Sequence, residues 1–149
     1  MTDGPPDRLY PSRPIVAVSA AVFRGSQVLV TRRGRAPMIG RWSLPGGVVE
    51  VGETLTQALA RELDEEVGIE AEVLAFNRHV EPILRENEQV KAHFVIVSFV
   101  ARLRRGKPRI SEEVDAFLWI EPEACGDLWA TPGLAEIVAS AAAIKRGLQ

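Results

Sequence analysis

The segment from Thr54 to Gly68, TLTQALARELDEEVG, constrains this chain more than any other. Thr54 followed three residues later by Gln57 makes a capping box, in which each side chain satisfies a backbone N–H at a helix start. Gly68 suits the left-handed position just past a helix C-terminus. A helix over Thr54 to Val67 is therefore predicted. At ~100° per residue, Leu55, Leu59, Leu63 and Val67 fall at about 0, 40, 80 and 120°, one apolar stripe that has to face a core. Glu62, Glu65 and Glu66 fall at about 340, 280 and 20° on the same wheel, so they crowd the edge of the stripe, and Glu66 lies within its arc. A solvated acidic face would carry lysine or arginine at i+4. Here Glu62 is followed at that spacing by Glu66 and Glu66 by Glu70, and only Arg61, four residues before Glu65, is positive. Burying Glu66 in such company is unfavourable unless something pairs with it. A divalent cation with oxygen ligands, Mg²⁺ or Mn²⁺, removes the conflict and shares its ligands with phosphates.

The body that carries this helix is ordinary. A chain of 149 residues with 46% hydrophobic content can bury one sizeable core. A net charge of -2 gives no footprint for duplex nucleic acid, which needs a positive excess, but leaves room for a small anion held by local charges and metal. Cys125 is the single cysteine, which rules out an internal disulfide and a thiolate metal centre built from cysteine alone. No apolar run is long enough to span a bilayer, so no membrane partner is expected. Residues 1–14 carry Pro5, Pro6, Pro11 and Pro14 without an apolar core of their own and read as a poorly ordered arm, with a single domain over 15–149. A cytoplasmic setting is the default expectation.

Val, Ala and Ile dominate Ile15 to Phe23, a strand that turns at Arg24-Gly25-Ser26 into a second strand, Gln27 to Thr31. A basic loop from Arg32 to Arg41 leads into Trp42-Ser43-Leu44-Pro45-Gly46-Gly47. Beyond the helix, strands are expected at Ala71 to His79, His93 to Leu103 and Ala116 to Ile120, with a polar loop at Glu86 to Lys91. A closing helix from about Pro132 to Arg146 would take Thr131 as its cap and Pro132 as its first residue. Strands, a helix, more strands and a final helix make an α+β layer sandwich.

Written as a spacing, the constraining segment is Gly47, five residues, Glu53, seven residues, then Arg61-Glu62-Leu63-Asp64-Glu65-Glu66-Val67-Gly68-Ile69. This resembles the Nudix hydrolase family, whose box is G-x5-E-x7-R-E-U-x-E-E-x-G-U with U aliphatic, and it matches at every specified position. The approach Gly40 to Gly47, the strand placement and the last helix extend the likeness to about residues 14–146. The resemblance implies an α/β/α sandwich with a mixed sheet. It implies hydrolysis of a nucleoside diphosphate linked to a further group, assisted by Mg²⁺ or Mn²⁺. By position, Glu62, Glu65 and Glu66 are the implied metal ligands, joined by the Gly47 carbonyl. Arg61 would hold the carboxylates through ion pairs and Glu53 would orient the loop or the helix start. Glu65 or Glu66 is the first choice for the base, with Glu112 and Glu113 as candidates on a later loop. Dimers are common in the family, which makes a homodimer compatible with the resemblance.

Other residues carry weaker signals. Arg41 beside Trp42 is the best candidate for substrate contact among Arg32, Arg33, Arg35 and Arg41, and Glu113 is a third. Trp119 and Trp129 read as core or rim, and His79 and His93 as strand residues. The short chain and the Thr131-Pro132-Gly133-Leu134 start of the last helix resemble the small bacterial ADP-ribose pyrophosphatase-like group, so ADP-ribose or a related dinucleotide is the expected substrate. Pro82, 13 residues beyond Ile69, departs from the proline spacing of stricter ADP-ribose enzymes. The alternatives are a house-cleaning pyrophosphatase for oxidised nucleoside triphosphates and a catalytically silent metabolite-sensing module.

Overall fold

The computed structural model describes residues 8–148. Strands β1 (Ile15–Arg24) and β2 (Gln27–Arg33) form a hairpin, and two very short strands, β3 (Trp42–Ser43) and β4 (Gly46–Val48), follow. Helix α1 (Leu55–Val67) leads to β5 (Glu70–Val80), β6 (Ile83–Glu86), β7 (Gln89–Arg105) and β8 (Val114–Ile120). A 3₁₀ segment, Pro122–Asp127, and helix α2 (Leu134–Gly147) complete the chain.

One mixed sheet organises these elements in the order β3-β2-β1-β7-β5, with β8 beside β2 and β4 on β1. β1 and β7 are parallel, from Ile15 opposite Phe94 to Phe23 opposite Arg102, and the other pairings are antiparallel. The strands at the centre are buried on both faces, which accounts for their nearly continuous apolar sequence. Alternation splits their side chains between two cores. Val18, Val22, Leu29 and Phe99 pack against Leu59, Leu63 and Val67 of α1. Ala21, Phe23, Val28, Val30 and Val100 pack against Leu134, Val138, Ala141 and Ala142 of α2. The result is the expected α/β/α sandwich.

Three local readings are corrected. The polar stretch Glu86 to Lys91 is not a loop but the tip of a hairpin. Glu86 pairs with Gln89, and Asn87 and Glu88 have φ of 51° and 63°, the turn geometry that matches strand twist. Without glycine in the turn, the sequence hides it, and β7 begins four residues earlier than His93. The last helix starts at Leu134 with Gly133 as its cap at φ 85°, two residues later than predicted. Thr131 is not free to cap, because its N–H and hydroxyl both turn to the Trp42 carbonyl, at 2.9 and 3.4 Å. Arg32 and Arg33, read as loop, extend β2 opposite Ala116 and Val114 of β8.

Residues 1–7 of the expected N-terminal arm lie outside the described residues. In the remainder, the Tyr10 N–H donates to the Lys91 carbonyl at 2.8 Å, against the β6–β7 hairpin. No helix among the described residues is long and apolar enough to cross a membrane.

Candidate active site

Both ends of α1 are closed as their residues dictate. Thr54 Oγ1 accepts from the Gln57 N–H at 3.2 Å, the Thr54 N–H donates to Gln57 Oε1 at 2.9 Å, and Gly68 caps the other end at φ 73°. Between them the helix buries Glu62 and Glu66, each 7% exposed, and leaves Glu65 in solvent. A spacing of four residues stacks Glu62 and Glu66 on one line, while Glu65 falls to the side. The third member of the buried group comes from the connection between β7 and β8: carboxylate oxygens of Glu62, Glu66 and Glu113 lie within 4.8 Å of one another.

The loop that brings Glu113 is fastened at two points. The Gly34 N–H, just past β2, donates to the Glu113 carbonyl at 2.9 Å. At the C-terminus of α1, the Arg109 N–H donates to Val67 O at 2.9 Å and its guanidinium to Asp64 O at 3.2 Å. Gly47, on β4 opposite Val18, explains its own identity: a Cβ there would lie 2.7 Å from Glu62 Oε1. Only glycine lets that carboxylate rest on the strand.

Arg61 gathers the remaining acids. It forms a two-point pair with Glu53, Nε to Oε2 at 2.7 Å and Nη2 to Oε1 at 2.8 Å. It also reaches Glu62 at 2.8 Å, Glu65 at 3.3 Å and the Val48 carbonyl at 3.0 Å. Glu53 Oε1 accepts in addition from the Glu50 N–H at 3.0 Å, which shapes the turn before the helix. Hydrogen bonds from Arg61 and this backbone N–H hold the Glu53 carboxyl at a pKa of about 2.

Electrostatics separate the buried pair from the rest. Burial, then the charges of Glu113 and Glu62, push Glu66 up to about 8, against the opposing pull of Arg33 and the Gly46 N–H. Burial also raises Glu62, outweighing its pairing with Arg61, while the hydrogen bonds to Glu53 and then to Glu62 raise the guanidinium. Both partners shift upward because desolvation dominates at Glu62 and hydrogen bonding dominates at Arg61.

A cleft of about 200 Å³ opens beside the group, lined by Arg35, Glu65, Glu66, Ser111, Glu112 and Glu113. Four carboxylates and one guanidinium would repel a phosphate from such a space. The same oxygens, with Glu62 seated on Gly47, fit a hard divalent cation, which takes carboxylate oxygens and bridges them to phosphate.

The chain matches the family model described as NUDIX domain over residues 13–141. It belongs to the Nudix hydrolase family. Its relatives include the protein named "Putative 8-oxo-dGTP diphosphatase 2" of Mycobacterium tuberculosis, 39% identical over 70% of this chain and 72% of that one. An ADP-ribose pyrophosphatase of Methanocaldococcus jannaschii is 42% identical over 42% of this chain and 36% of that one. Among solved structures, a MutT Nudix hydrolase from Burkholderia pseudomallei superposes with a TM-score of 0.74 at 29% identity, covering 87% of this chain and 98% of the other.

On this Nudix framework the residues picked out from sequence fall into two places. Glu65, Glu66 and Glu113 line the cleft, Glu62 joins Glu66 and Glu113 while resting on Gly47, and Arg61 ties Glu53, Glu62 and Glu65 together. Arg41 and Trp42 do not line the cleft. Arg41 donates to the Ala130 carbonyl at 3.1 Å and lies 4.7 Å over the Trp129 ring, and Trp42 bridges to Ala130, against the segment that precedes α2. From sequence, Arg33 counts only among four arginines weighed for substrate contact, not as the partner of Glu66. It is half-buried, donates from Nε to the Pro37 carbonyl at 2.7 Å and supplies the positive charge facing Glu66 that α1 itself lacks. Its position at a strand end, in a stretch read as loop, hid that role.

Proposed function

We propose that this Nudix hydrolase cleaves a phosphoanhydride bond of a nucleotide with Mg²⁺ or Mn²⁺ held by Glu62, Glu66 and Glu113. The observation that carries the reading is the convergence of these three carboxylates, two of them buried on α1. A bound divalent ion would neutralise phosphate charge and lower the pKa of a coordinated water. The protein's own part is positioning. Arg61 fixes the Glu62 and Glu53 carboxylates, Gly47 admits Glu62, and the Gly34 and Arg109 hydrogen bonds hold the Glu113 loop. Glu65, on the open wall of the cleft and held by Arg61 at 3.3 Å, takes the proton of the attacking water. In-line attack at phosphorus then needs alignment and charge stabilisation more than covalent help.

For the substrate, an oxidised purine nucleoside triphosphate is the favoured reading. It is supported by the Mycobacterium tuberculosis relative, whose similarity extends over 70% of this chain, against 42% for the ADP-ribose pyrophosphatase. The exposed Trp129 under Arg41 offers a flat face to a base beside the start of α2. ADP-ribose is the second reading, favoured by the resemblance of Thr131-Pro132-Gly133-Leu134 to the small bacterial pyrophosphatase-like group. A panel of 8-oxo-dGTP, dGTP, ADP-ribose, NADH and diadenosine polyphosphates, assayed with each metal, separates them by kcat/KM. Cleavage of none of them, together with no Mn²⁺ binding, would sink the hydrolase reading.

A further inference from the structure

Among the arginines near the cleft, Arg35 is held differently from Arg33 and Arg41, and unlike Arg32, which pairs with Asp115, it lines the cleft itself. Arg33 is anchored through its Nε to a backbone carbonyl, and Arg41 through a carbonyl and the Trp129 ring. Arg35 lines the cleft, and the partners recorded for its guanidinium are carboxylates: Glu112 at 2.7 Å and Glu113 at 3.3 Å. Half of its side chain is exposed, and so is most of Glu112. Ion pairs of this kind contribute little and exchange readily. The backbone beneath them does not depend on them, because the Gly34 N–H holds the Glu113 carbonyl whatever the side chains do.

Glu113 is thus shared between two claims. Its carboxylate is within reach of Glu62 and Glu66, and it is also the counter-ion of Arg35. A cation bound among the three carboxylates would draw Glu113 away from the guanidinium. We infer that Arg35 is an exchangeable counter-ion, paired with Glu113 in the metal-free protein and handed over to the substrate's phosphates once a divalent ion takes that carboxylate. This rests on the metal-dependent reading above. The chemistry agrees on both sides: a guanidinium presents forked donors to carboxylate or phosphate with equal facility. Among the described residues, Arg35 is the one cationic side chain lining the cleft that an incoming polyphosphate would meet.

The exchange predicts two shifts of opposite sign in Arg35→Ala. Removing the competitor should tighten Mn²⁺ binding by about 2- to 5-fold, the range for loss of an exposed pair. Removing the phosphate contact should weaken methylenediphosphonate, a diphosphate mimic that cannot be hydrolysed, by about 10-fold on the Mn²⁺-saturated protein. Both are measured by calorimetry on the full chain, with circular dichroism to establish that it is folded. Arg35→Lys keeps the charge but loses the fork and should fall between wild type and alanine in diphosphonate affinity. Unchanged or weaker Mn²⁺ binding in Arg35→Ala overturns the inference, and so does unchanged diphosphonate affinity. If wild type turns over no nucleotide while both binding shifts hold, the substrate reading fails and the exchange stands.

Discussion

The two helices cover opposite faces of one sheet and are held there by different means. α2 buries Leu134, Val138, Ala141 and Ala142 with no charge in its inward stripe, and its N-terminal cap has no side-chain hydrogen bond. Packing is supplemented by a few hydrogen bonds to the sheet: Asn77 of β5 donates to the Ile137 carbonyl at 3.0 Å and accepts from Ser140, and Lys145 donates to the Gly25 carbonyl at 3.0 Å. α1 buries Glu62 and Glu66 among its leucines and carries a full capping box, a left-handed glycine cap and the Arg61 network. Burying carboxylates costs free energy that packing on the same face must offset. The lesson is a division of duties: one face of the sheet is optimised for cohesion, and the other gives up cohesion to hold charge in place.

The comparison can be broken most sharply at Glu66. Glu66→Gln should lower kcat on the order of 10³-fold, the several kcal/mol that a correctly held metal supplies. It should also raise the melting temperature of the metal-free protein at alkaline pH, since a buried charge disappears. A stable variant with wild-type turnover would show that α1 is not the functional face. A catalytically silent sensor would instead retain its ligand affinity.

The pH dependence of metal-free stability gives the next largest effect. Glu66, at about 8 in the fold against an ordinary 4.5, keeps a proton that the unfolded chain has already released. Its stabilising contribution is complete below pH ~4.5 and is lost as pH rises through ~8, a loss on the order of a few kcal/mol; the raised Glu62 acts in the same direction. Urea midpoints in EDTA should therefore fall between pH 5 and pH 9, and Mg²⁺ should remove most of the slope. A flat profile in EDTA would mean that Glu66 is solvated.

On the cohesive face, Val138→Ala should cost about 2 kcal/mol through lost burial and a residual cavity, with kcat and KM unchanged at a temperature where the protein stays folded. A kinetic effect larger than twofold would link α2 to the chemistry. The smallest effect is expected at the cap. Thr54→Ala should destabilise by about 1 kcal/mol, readable as a shift in the urea midpoint, with Mn²⁺ affinity preserved because Arg61 and Glu53 fix the carboxylates independently.

Most of the α1 half of the site was legible in sequence because its signals are local. The capping box, the glycine stop and the position of Glu66 in the apolar arc all lie within one helix, and the structure has each of them. The family spacing added Gly47 and Glu53, whose reasons are steric and electrostatic contacts with Glu62 and Arg61. What escaped depends on contacts between distant segments. Glu113 could be suspected but not placed, since β7 and the Arg109 turn decide where its loop ends. Thr131 looked like a helix cap until Trp42 took both its hydrogen bonds. The Asn87–Glu88 turn carries no glycine to announce it. Arg41 and Trp42, expected at the substrate, are carried by β3 to Ala130 rather than to the lining of the carboxylate cleft, a placement that the sequence alone does not show.

The Arg109 attachment has a mechanical consequence. From Val67 the chain leaves α1, runs out along β5, turns through the β6–β7 hairpin and returns along β7 to within a hydrogen bond of where it departed. The path is a closed linkage, and its clasp sits beside the carboxylates while its far bend sits at Asn87 and Glu88. A residue inserted or removed at the bend lengthens or shortens the excursion without moving the clasp. The spacing of Glu62, Glu66 and Glu113 is thereby insulated from length variation at the hairpin tip.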